Sequence, residues 1–418
     1  MTLQTEAQAS ARPQSDAQPR PVVRPGSPEW TALLARIAEG ASERERTRTA
    51  PYEVIGWLKE AGVGRLRLPV ELGGAGLSIP ELFAALIDLA EADSAVPHIL
   101  RTHFWFVEQH LQAIEDPAFR RRLVDLAGSD SLVGNGFSEQ SRKPVGLAFE
   151  TAFTPEGDGY RLNGTKYYST GSIYSDHTQI WAAAPEGRIA GAVIPVDREG
   201  VTILDDWDGF GQRLTGTGTT VLDNVRVEAE EFFDLGEPDP AEPVPGYQGA
   251  FLQLFLQAVT AGILRSVRND AVALVRRRAR NYSHATAPGS PTSDPQVLQV
   301  VGEIAADVFA AEAIVLRAAE AIQAAADSVV DGVPTAEAAD AAQLAAAHAK
   351  VAIDRFSYAT AARLFDVGGT SATSAASNLD RHWRNVRTIS THNPTFLKAS
   401  AVGDHLVNGA AFPANAYF

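Results

Sequence analysis

Apolar side chains recur at helical spacing along the first third of the chain. Between residues 29 and 133 they lie three or four positions apart, first at Trp30, Leu33, Leu34 and Ile37. This is the period of a helix that buries one face. The segment predicts an N-terminal helical domain with roughly four to six helices.

One helix start is marked clearly in the sequence. Pro80 suits the first turn of a helix, where its missing N–H has no helical partner in any case, and Ser78 can cap that turn. Glu81 adds a negative charge near the positive end of the helix. We therefore expect a helix to begin here.

The pattern changes between residues 134 and 235, where Gly, Thr and β-branched residues alternate and turn signals are frequent. The Asn-Gly pair at 163–164 is expected to end a short strand at 160–162. The Asp-Asn pair at 223–224 is expected to precede another at 225–227. This segment predicts a small antiparallel β-domain.

Helical spacing returns after a Pro- and acid-rich linker at 236–246. Residues 301–350 contain 20 alanines, and alanine is the best helix former and lets helices approach closely. We expect residues 246–418 to form a helical bundle. Residues 1–28 hold five prolines and few large apolar side chains, which predicts a disordered tail. The predicted fold class is α+β.

Composition excludes several kinds of chemistry. The 418 residues include no cysteine, so disulfides, thiolate metal sites, iron–sulfur clusters and a cysteine nucleophile are ruled out. With 36 basic and 51 acidic side chains, the formal charge is −15, which disfavours nucleic acid as a partner. No segment is typical of a signal peptide or a membrane span, and we expect a soluble, cytoplasmic protein.

Common local motifs are missing as well. The sequence has no phosphate-binding glycine loop, nucleophile elbow or zinc-binding His pair on a helix. His98 and His103 are five residues apart and would point about 140° apart on one helix. We therefore expect no metal site.

Two parts of the sequence are nevertheless recognisable. The first comprises the segments 162–171 and 211–220, and the second the segments 380–388 and 392–394. Together with the order helices, β-domain, bundle, they resemble the acyl-CoA dehydrogenase superfamily. Within it, the chain looks more like the flavin-dependent branch of dibenzothiophene and sulfone-oxidising monooxygenases. The resemblance implies an acyl-CoA-dehydrogenase-like fold.

The two branches differ near the C-terminus. Acyl-CoA dehydrogenases typically carry a catalytic glutamate there, whereas the segment 388–394 of this chain has no carboxylate. His392-Asn393-Pro394 instead matches the oxygenase branch. An imidazole with an ordinary pKa near 6.5 can donate a proton and recover it at neutral pH. The resemblance thus implies a catalytic His392; an acyl-CoA dehydrogenase with a displaced base and a flavin-free binding protein are the alternatives.

The resemblance also implies a reaction and its partners. Reduced FMN would come from a separate NAD(P)H:flavin reductase, with FAD as the other possible cofactor. O₂ would add to carbon 4a of the flavin, and the hydroperoxide would oxygenate a sulfur or nitrogen atom of a small substrate. Sulfur metabolism and a homotetramer are further expectations.

The same resemblance assigns individual residues. Most of them also have a structural explanation. Thr170 would then end a strand, Tyr168 would belong to the strand core, and Asn135 and Ser138 would form turns. His103 and His392 would be ordinary structural histidines, and Arg280 would interact with a helix end. The implied catalytic residues are His392, Thr170 and His103; the implied cofactor-binding residues are Asn135, Ser138, Tyr168, Thr170, Arg280, Gly368 and Gly369; Trp207 and His103 would line the substrate pocket.

Overall fold

The N-terminal domain is helical, as predicted. The structure, a computed structural model, describes residues 21–140, 149–234, 246–278, 281–286, 289–413 and 418. The expected start near Pro80 is confirmed: Ser78 and Glu81 form a complete capping box. The helices of this domain are α1 (Pro28–Ala38), α2 (Ala41–Thr47), α3 (Tyr52–Glu60), α4 (Ile79–Ala92), α5 (Ala95–Gln112) and α6 (Pro117–Leu126).

The prediction of a disordered tail is wrong for residues 21–28. The Val23 N–H donates to the Ala61 carbonyl over 2.9 Å, and Arg24 donates to the Ala75 carbonyl over 2.8 Å. These long-range hydrogen bonds order a segment that has little apolar surface of its own. The remainder of the predicted tail, residues 1–20, lies outside the described residues.

The central domain is one sheet in which most strand pairs are antiparallel. Its order is β6-β7-β3-β2-β4-β5-β8, and β1 pairs with β4 outside this path. The predicted antiparallel β-domain is confirmed, and within it β1 and β2 run parallel to β4. The strands are β1 (Val133–Gly136), β2 (Ala152–Glu156), β3 (Gly159–Ser169), β4 (His177–Ala183), β5 (Ile189–Pro195), β6 (Val201–Ile203), β7 (Gly218–Val227) and β8 (Phe232–Asp234).

Two expected turns are instead a bulge within long strands. The pairing of β3 with β7 shifts register between Leu162 and Gly164, opposite Asn224, which has a φ of +53°. The Asn224 N–H donates to Asn163 Oδ1 over 2.8 Å. Asn and Gly adopt the backbone angles of bulges as readily as those of turns, so the local signal was correct and its interpretation as a chain reversal was wrong.

The C-terminal domain is a helical bundle, as predicted, and the linker expected at 236–246 falls almost entirely outside the described residues. Helix α7 packs closely on α4, because a Cβ on Gly262 would lie 2.5 Å from the Ile87 carbonyl oxygen. The bundle contains α7 (Gln248–Arg277), α8 (Pro295–Asp327), α9 (Ala336–Gly368), α10 (Arg381–Thr391) and α11 (Thr395–Asn408).

Helix α7 is also the one helix in the described ranges that is long and apolar enough to cross a membrane. Of its most apolar window, 89% is buried inside the protein. The apolar composition therefore reflects its position in the middle of the core.

Candidate active site

A cavity of about 850 Å³ lies where the sheet meets α5, α7, α10 and α11. Ligand sites usually have volumes of roughly 300–1,000 Å³. The structure brings together most of the residues implied for the cofactor and the chemistry. Those that line the cavity are Asn135, Ser138, Tyr168, Thr170, Trp207 and His392.

His392 lies in the short connection between α10 and α11. It continues the helical backbone of α10 as its C-terminal cap, and α11 begins three residues later. The next residue, Asn393, is buried and donates from Nδ2 to Gln253 Oε1 on α7 over 3.2 Å. This connection thus presents His392 to the cavity while its neighbour is tied to the core.

The pKa of His392 is well below its ordinary value. His392 is exposed at the cavity wall, and the main cause of the lower pKa is the hydration that the ring loses to the protein around it. The charges of Arg101, Lys350 and Lys398 and the neighbouring His98 lower the pKa further. The expectation of an ordinary pKa is therefore corrected: at pH 7 the imidazole is neutral, with one nitrogen that donates and one that accepts.

His103 is not at the cavity. Its Nε2–H donates to the Gly64 carbonyl over 2.9 Å, and its Nδ1 accepts from the Val133 N–H over 3.3 Å. The two ring nitrogens thus join α5 to the segments that carry Gly64 and Val133. The cavity-lining histidine of α5 is His98, which the sequence reasoning missed and whose Nδ1–H donates to Gln212 Oε1 over 3.0 Å. Burial lowers the pKa of both histidines to about 4.

Gln212 connects several cavity residues. Its carbonyl accepts from Trp207 Nε1 over 3.0 Å and from Thr215 Oγ1 over 2.9 Å. The hydroxyl chain continues from Thr215 to Thr217 (2.6 Å) and to Thr170 (3.0 Å). Because a carbonyl can only accept, each hydroxyl donates toward Gln212, and the Thr170 oxygen keeps its lone pairs for a donor in the cavity.

Gln212 also has an unusual backbone conformation, which its contacts hold in place. It has a φ of +50°, and its N–H donates to Asn385 Oδ1 on α10 over 2.7 Å. Such strained conformations persist where the surroundings hold them, often at functional sites. The sequence signal for this residue is its place in the recognisable segment 211–220.

Aromatic rings form one wall of the cavity. Tyr168 has a φ of +56° at a register shift between Lys166 and Ser169, and its ring meets that of Trp207 edge to face, with centroids 6.2 Å apart. A bulge rotates the side chain away from its regular direction. Tyr168 therefore extends from the sheet into the cavity and is 55% exposed.

Asn135 and Ser138 also line the cavity, and Ser138 pairs with Tyr167 beside Tyr168. The Asn135 backbone is held by hydrogen bonds of 3.3 Å with Ser172 Oγ, and the Ser138 carbonyl accepts from the Tyr167 N–H over 2.9 Å. Asn135 Oδ1 is buried and has no hydrogen-bond partner within the described ranges. A buried amide oxygen without a donor suits a planar ligand with an N–H on its edge, as the flavin ring has. The residues present therefore fit the implied cofactor.

Glu139 has the one side-chain carboxylate among the described residues of the cavity wall. Its Oε1 lies 2.6 Å from Lys166 Nζ, and its oxygens accept from the backbone N–H groups of Glu150 and Thr151. Although burial opposes this effect, these hydrogen bonds lower the pKa of Glu139. The carboxylate is thus bound to Lys166, Glu150 and Thr151 and is poorly suited to act as a base.

Gly368 and Gly369 lie away from this cavity, at the end of α9. Gly369 has a φ of +61°, and Arg278 at the end of α7 donates from Nη1 to the Val367 carbonyl over 2.9 Å. The basic end of α7 and the glycines thus form a second location. Arg280 lies outside the described residues.

Metal chemistry has no visible site in the described parts of the chain. No group of three or more His, Asp or Glu side chains there is arranged to hold an ion.

Comparison with known families agrees with this architecture. The N-terminal, middle and C-terminal domain models of acyl-CoA dehydrogenase match residues 32–126, 137–225 and 254–395. The chain belongs to the acyl-CoA dehydrogenase superfamily. Within that superfamily it falls in the flavin-dependent monooxygenase branch, and the predicted fold and family are confirmed.

Several monooxygenases are similar over almost the whole chain. A dibenzothiophene monooxygenase from Mycolicibacterium goodii is 29% identical over 98% of both chains. The FMN-bound crystal structure of TdsC from Paenibacillus sp. A11-2 is 28% identical, covers 93% of this chain and 98% of its own, and has a TM-score of 0.84. Methanesulfinate monooxygenase MsuC from Pseudomonas fluorescens is 26% identical, with coverages of 94% and 100% and a TM-score of 0.85.

Proposed function

We propose that this chain is a two-component, FMN-dependent monooxygenase that oxygenates a sulfur or nitrogen atom of a small substrate. The observation that carries the proposal is the chemistry of the cavity wall. It combines a neutral His392 with the hydroxyl chain that ends at Thr170, while its one described side-chain carboxylate, Glu139, is bound to Lys166. The similarity to FMN-bound TdsC supports FMN over FAD.

The same wall argues against an acyl-CoA dehydrogenase with a displaced base. That reaction needs a base to remove the proton next to the thioester carbonyl. Of the described side chains on the wall, Glu139 could supply a carboxylate, but its pKa is lowered by Lys166 and backbone N–H groups. A carboxylate stabilised in its ionised form is a weak base.

The chain's own residues would position the reactants. Thr170 would accept a hydrogen bond from an N–H of the flavin, and Asn135 Oδ1 would accept another. Tyr168 and Trp207 would shield the ring from water. The neutral His392 would donate a hydrogen bond to the reacting oxygen or accept one from it. Reduced FMN, delivered by a separate flavin reductase in the cytoplasm, would supply the two electrons that activate O₂, so that one oxygen atom goes to the substrate and the other to water.

The cavity also indicates a substrate class. Its described wall includes Trp105, Phe137, Leu252, Ile389 and Leu397, and such surfaces favour apolar, planar ligands. Relatives act on dibenzothiophene in one case and on methanesulfinate in another, as their names state. We infer an uncharged compound with an exposed heteroatom, with dibenzothiophene as the first probe.

The test of this function combines two measurements. The protein with FMN, a flavin reductase, NADH and dibenzothiophene should form the sulfoxide or sulfone. When the reaction is run under ¹⁸O₂, mass spectrometry should detect one ¹⁸O atom in the product for each oxygen added. Oxidised FMN-bound and FAD-bound protein should keep their flavin absorbance when an acyl-CoA is added anaerobically. Bleaching by the acyl-CoA would support the dehydrogenase instead, and failure to bind either flavin would support a binding protein.

The homotetramer is proposed from an exposed apolar stripe on α8. Phe309 is 76% exposed and Leu298 49% exposed, and the exposed small residues Gly302, Ala306 and Ala313 lie between or beside them at helical spacing. A stripe of this kind allows two helices to pack closely. In such an assembly the basic end of α7 and Gly368–Gly369 could contact the phosphate end of a cofactor bound by a neighbouring subunit.

Phe309→Asp should therefore dissociate the tetramer into dimers or monomers, because it places a charge in the packed face. Sedimentation velocity would measure the change in mass. The matched control is Val330→Asp, since Val330 is also a strongly exposed apolar residue but lies beyond the end of α8. A tetramer that survives Phe309→Asp would contradict this interface.

A further inference from the structure

Two charged side chains are buried beneath the connection that carries His392. Lys350 and Asp354 are one helical turn apart on α9, and their side chains are 3% and 4% exposed. Lys350 Nζ and Asp354 Oδ2 are 2.7 Å apart. Neither residue lines the cavity, so the pair belongs to the core behind the site.

Each member of the pair also holds one flank of the His392 connection. Lys350 Nζ donates to the Ser390 carbonyl over 2.9 Å, and Thr395 Oγ1 donates to Asp354 Oδ2 over 2.5 Å. Ser390 precedes His392 by two residues, and Thr395 follows it by three. One turn of α9 is thus bound to both ends of segment 390–395.

Helix stability alone does not account for this pair. Burying two ionised groups removes them from water, and apolar residues of similar volume are often equally stabilising or more so. Within a single helix, Lys followed by an acid four residues later is the weaker of the two orders. Burial lowers the pKa of Lys350 even though Asp354 opposes this shift. The two hydrogen bonds described from the pair to other elements both go to segment 390–395.

We propose that Lys350 and Asp354 are positioning residues that clamp both flanks of segment 390–395 to α9 and thereby hold the His392 ring at one place on the cavity wall. The hydrogen bond between Asn393 and Gln253 ties down the middle of the same segment. A catalytic group that is misplaced by about 1 Å can lose roughly 100-fold in rate. Lys350 and Asp354 each bind the other and one flank of the segment, and neither side chain lines the cavity.

The clamp has a readout in His392 itself that does not depend on catalysis. Lys350 is one of the groups that keep the His392 pKa low, together with Arg101, Lys398, His98 and the loss of hydration. If the clamp is removed, the exposed ring leaves the position at which its surroundings lower its pKa, and it loses the Lys350 charge. Both changes raise the His392 pKa toward its ordinary value.

The test uses the full-length double variant Lys350→Met/Asp354→Leu, which replaces the ion pair with apolar side chains of similar length. We expect a folded protein with nearly unchanged FMN affinity, a raised His392 pKa and a rate of dibenzothiophene oxygenation lower by roughly 10- to 100-fold. The pKa is measured by NMR titration of the histidine rings, with the His392 signal assigned by its loss in His392→Ala. FMN affinity is measured by fluorescence.

The matched control is Arg363→Met/Glu303→Leu. This variant removes another ion pair of α9, made with α8, whose described hydrogen bonds do not reach segment 390–395. It should leave the His392 pKa and the rate unchanged. Equal values in the wild type and in the Lys350/Asp354 variant would overturn the clamp and leave the pair as a structural feature only.

A second variant decides the matter if the double variant does not fold. Thr395→Val removes the contact of Asp354 with the segment but leaves the Lys350–Asp354 pair in place. It should raise the His392 pKa, and an unchanged value would overturn the proposal. Only the oxygenation measurement rests on the proposed function: a wild type that does not oxygenate dibenzothiophene would contradict that function for this probe, whereas the His392 pKa would still test the clamp.

Discussion

Replacing His392 with alanine should lower the rate of oxygenation by about 10²–10⁴-fold, the usual contribution of a positioned acid–base group, with little change in FMN affinity. The ring lies on the cavity wall, and its neutral state lets it both donate and accept a hydrogen bond at pH 7. Alanine leaves the wall intact but removes both functions. Single-turnover oxidation of dibenzothiophene with prereduced FMN isolates this step from the reductase.

The control for this prediction is His348→Ala, because His348 is an exposed histidine on α9. The pH dependence gives an independent check. Since the pKa of His392 is lowered, its titration should cause a smaller loss of rate between pH 8 and pH 6 than that of a histidine with an ordinary pKa. Full activity of His392→Ala would remove His392 from the chemistry.

Replacing His103 with alanine should have the opposite profile: a large loss of stability and no specific effect on the chemistry. The imidazole is 1% exposed and joins the Gly64 carbonyl to the Val133 N–H. Its removal leaves a cavity and two buried backbone groups without partners, which costs about 2–4 kcal/mol of unfolding free energy. Urea denaturation monitored by circular dichroism measures this loss.

The pH dependence of stability provides a second signature of His103. Its pKa is about 4 in the folded protein and 6.5 when unfolded, so below pH 6.5 the unfolded chain binds a proton that the folded chain excludes. Stability therefore falls as the pH drops, by about 1.4 kcal/mol per pH unit for this residue down to about pH 4. His103→Ala should lack this contribution and lose less stability between pH 7 and pH 5 than the wild type.

His98→Ala is the matched variant for this comparison, since His98 lies on the same helix and also has a pKa of about 4. His98 borders the cavity and donates a hydrogen bond to Gln212. His98→Ala should therefore slow oxygenation more than His103→Ala does, and lower the free energy of unfolding less. If His103→Ala slowed oxygenation at unchanged stability, the assignment of the two histidines would be reversed.

Local sequence signals predicted the elements that depend on neighbouring residues. The capping box at Ser78 and Glu81 and the alanine-rich helices of the bundle formed as expected, because both depend on contacts within a few residues. The Asn-Gly signal at 163–164 was misread, because bulges and turns use the same backbone angles. The order of residues 21–28 was also missed, since it depends on carbonyl groups at Ala61 and Ala75, far away in the sequence.

The residues of the cavity were likewise predicted only in part from the sequence. Six of the residues implied by the motif resemblance, including His392 and Thr170, line the cavity. The resemblance chose His103 over His98, although the two point about 140° apart on one helix, because periodicity separates the faces of a helix without saying which face meets the cavity. Gln212 and the Lys350–Asp354 pair were not singled out, since their roles come from partners more than 30 residues away.

The sequence by itself determined the fold class, the superfamily and the replacement of a C-terminal carboxylate by His392, because these follow from periodicity and from short motifs. Only the tertiary structure decided which histidine of α5 reaches the cavity, that the pKa of His392 is lowered, and that one turn of α9 holds its flanks. Those properties depend on burial and on contacts between distant segments, and such contacts arise when the chain packs the sheet against the bundle.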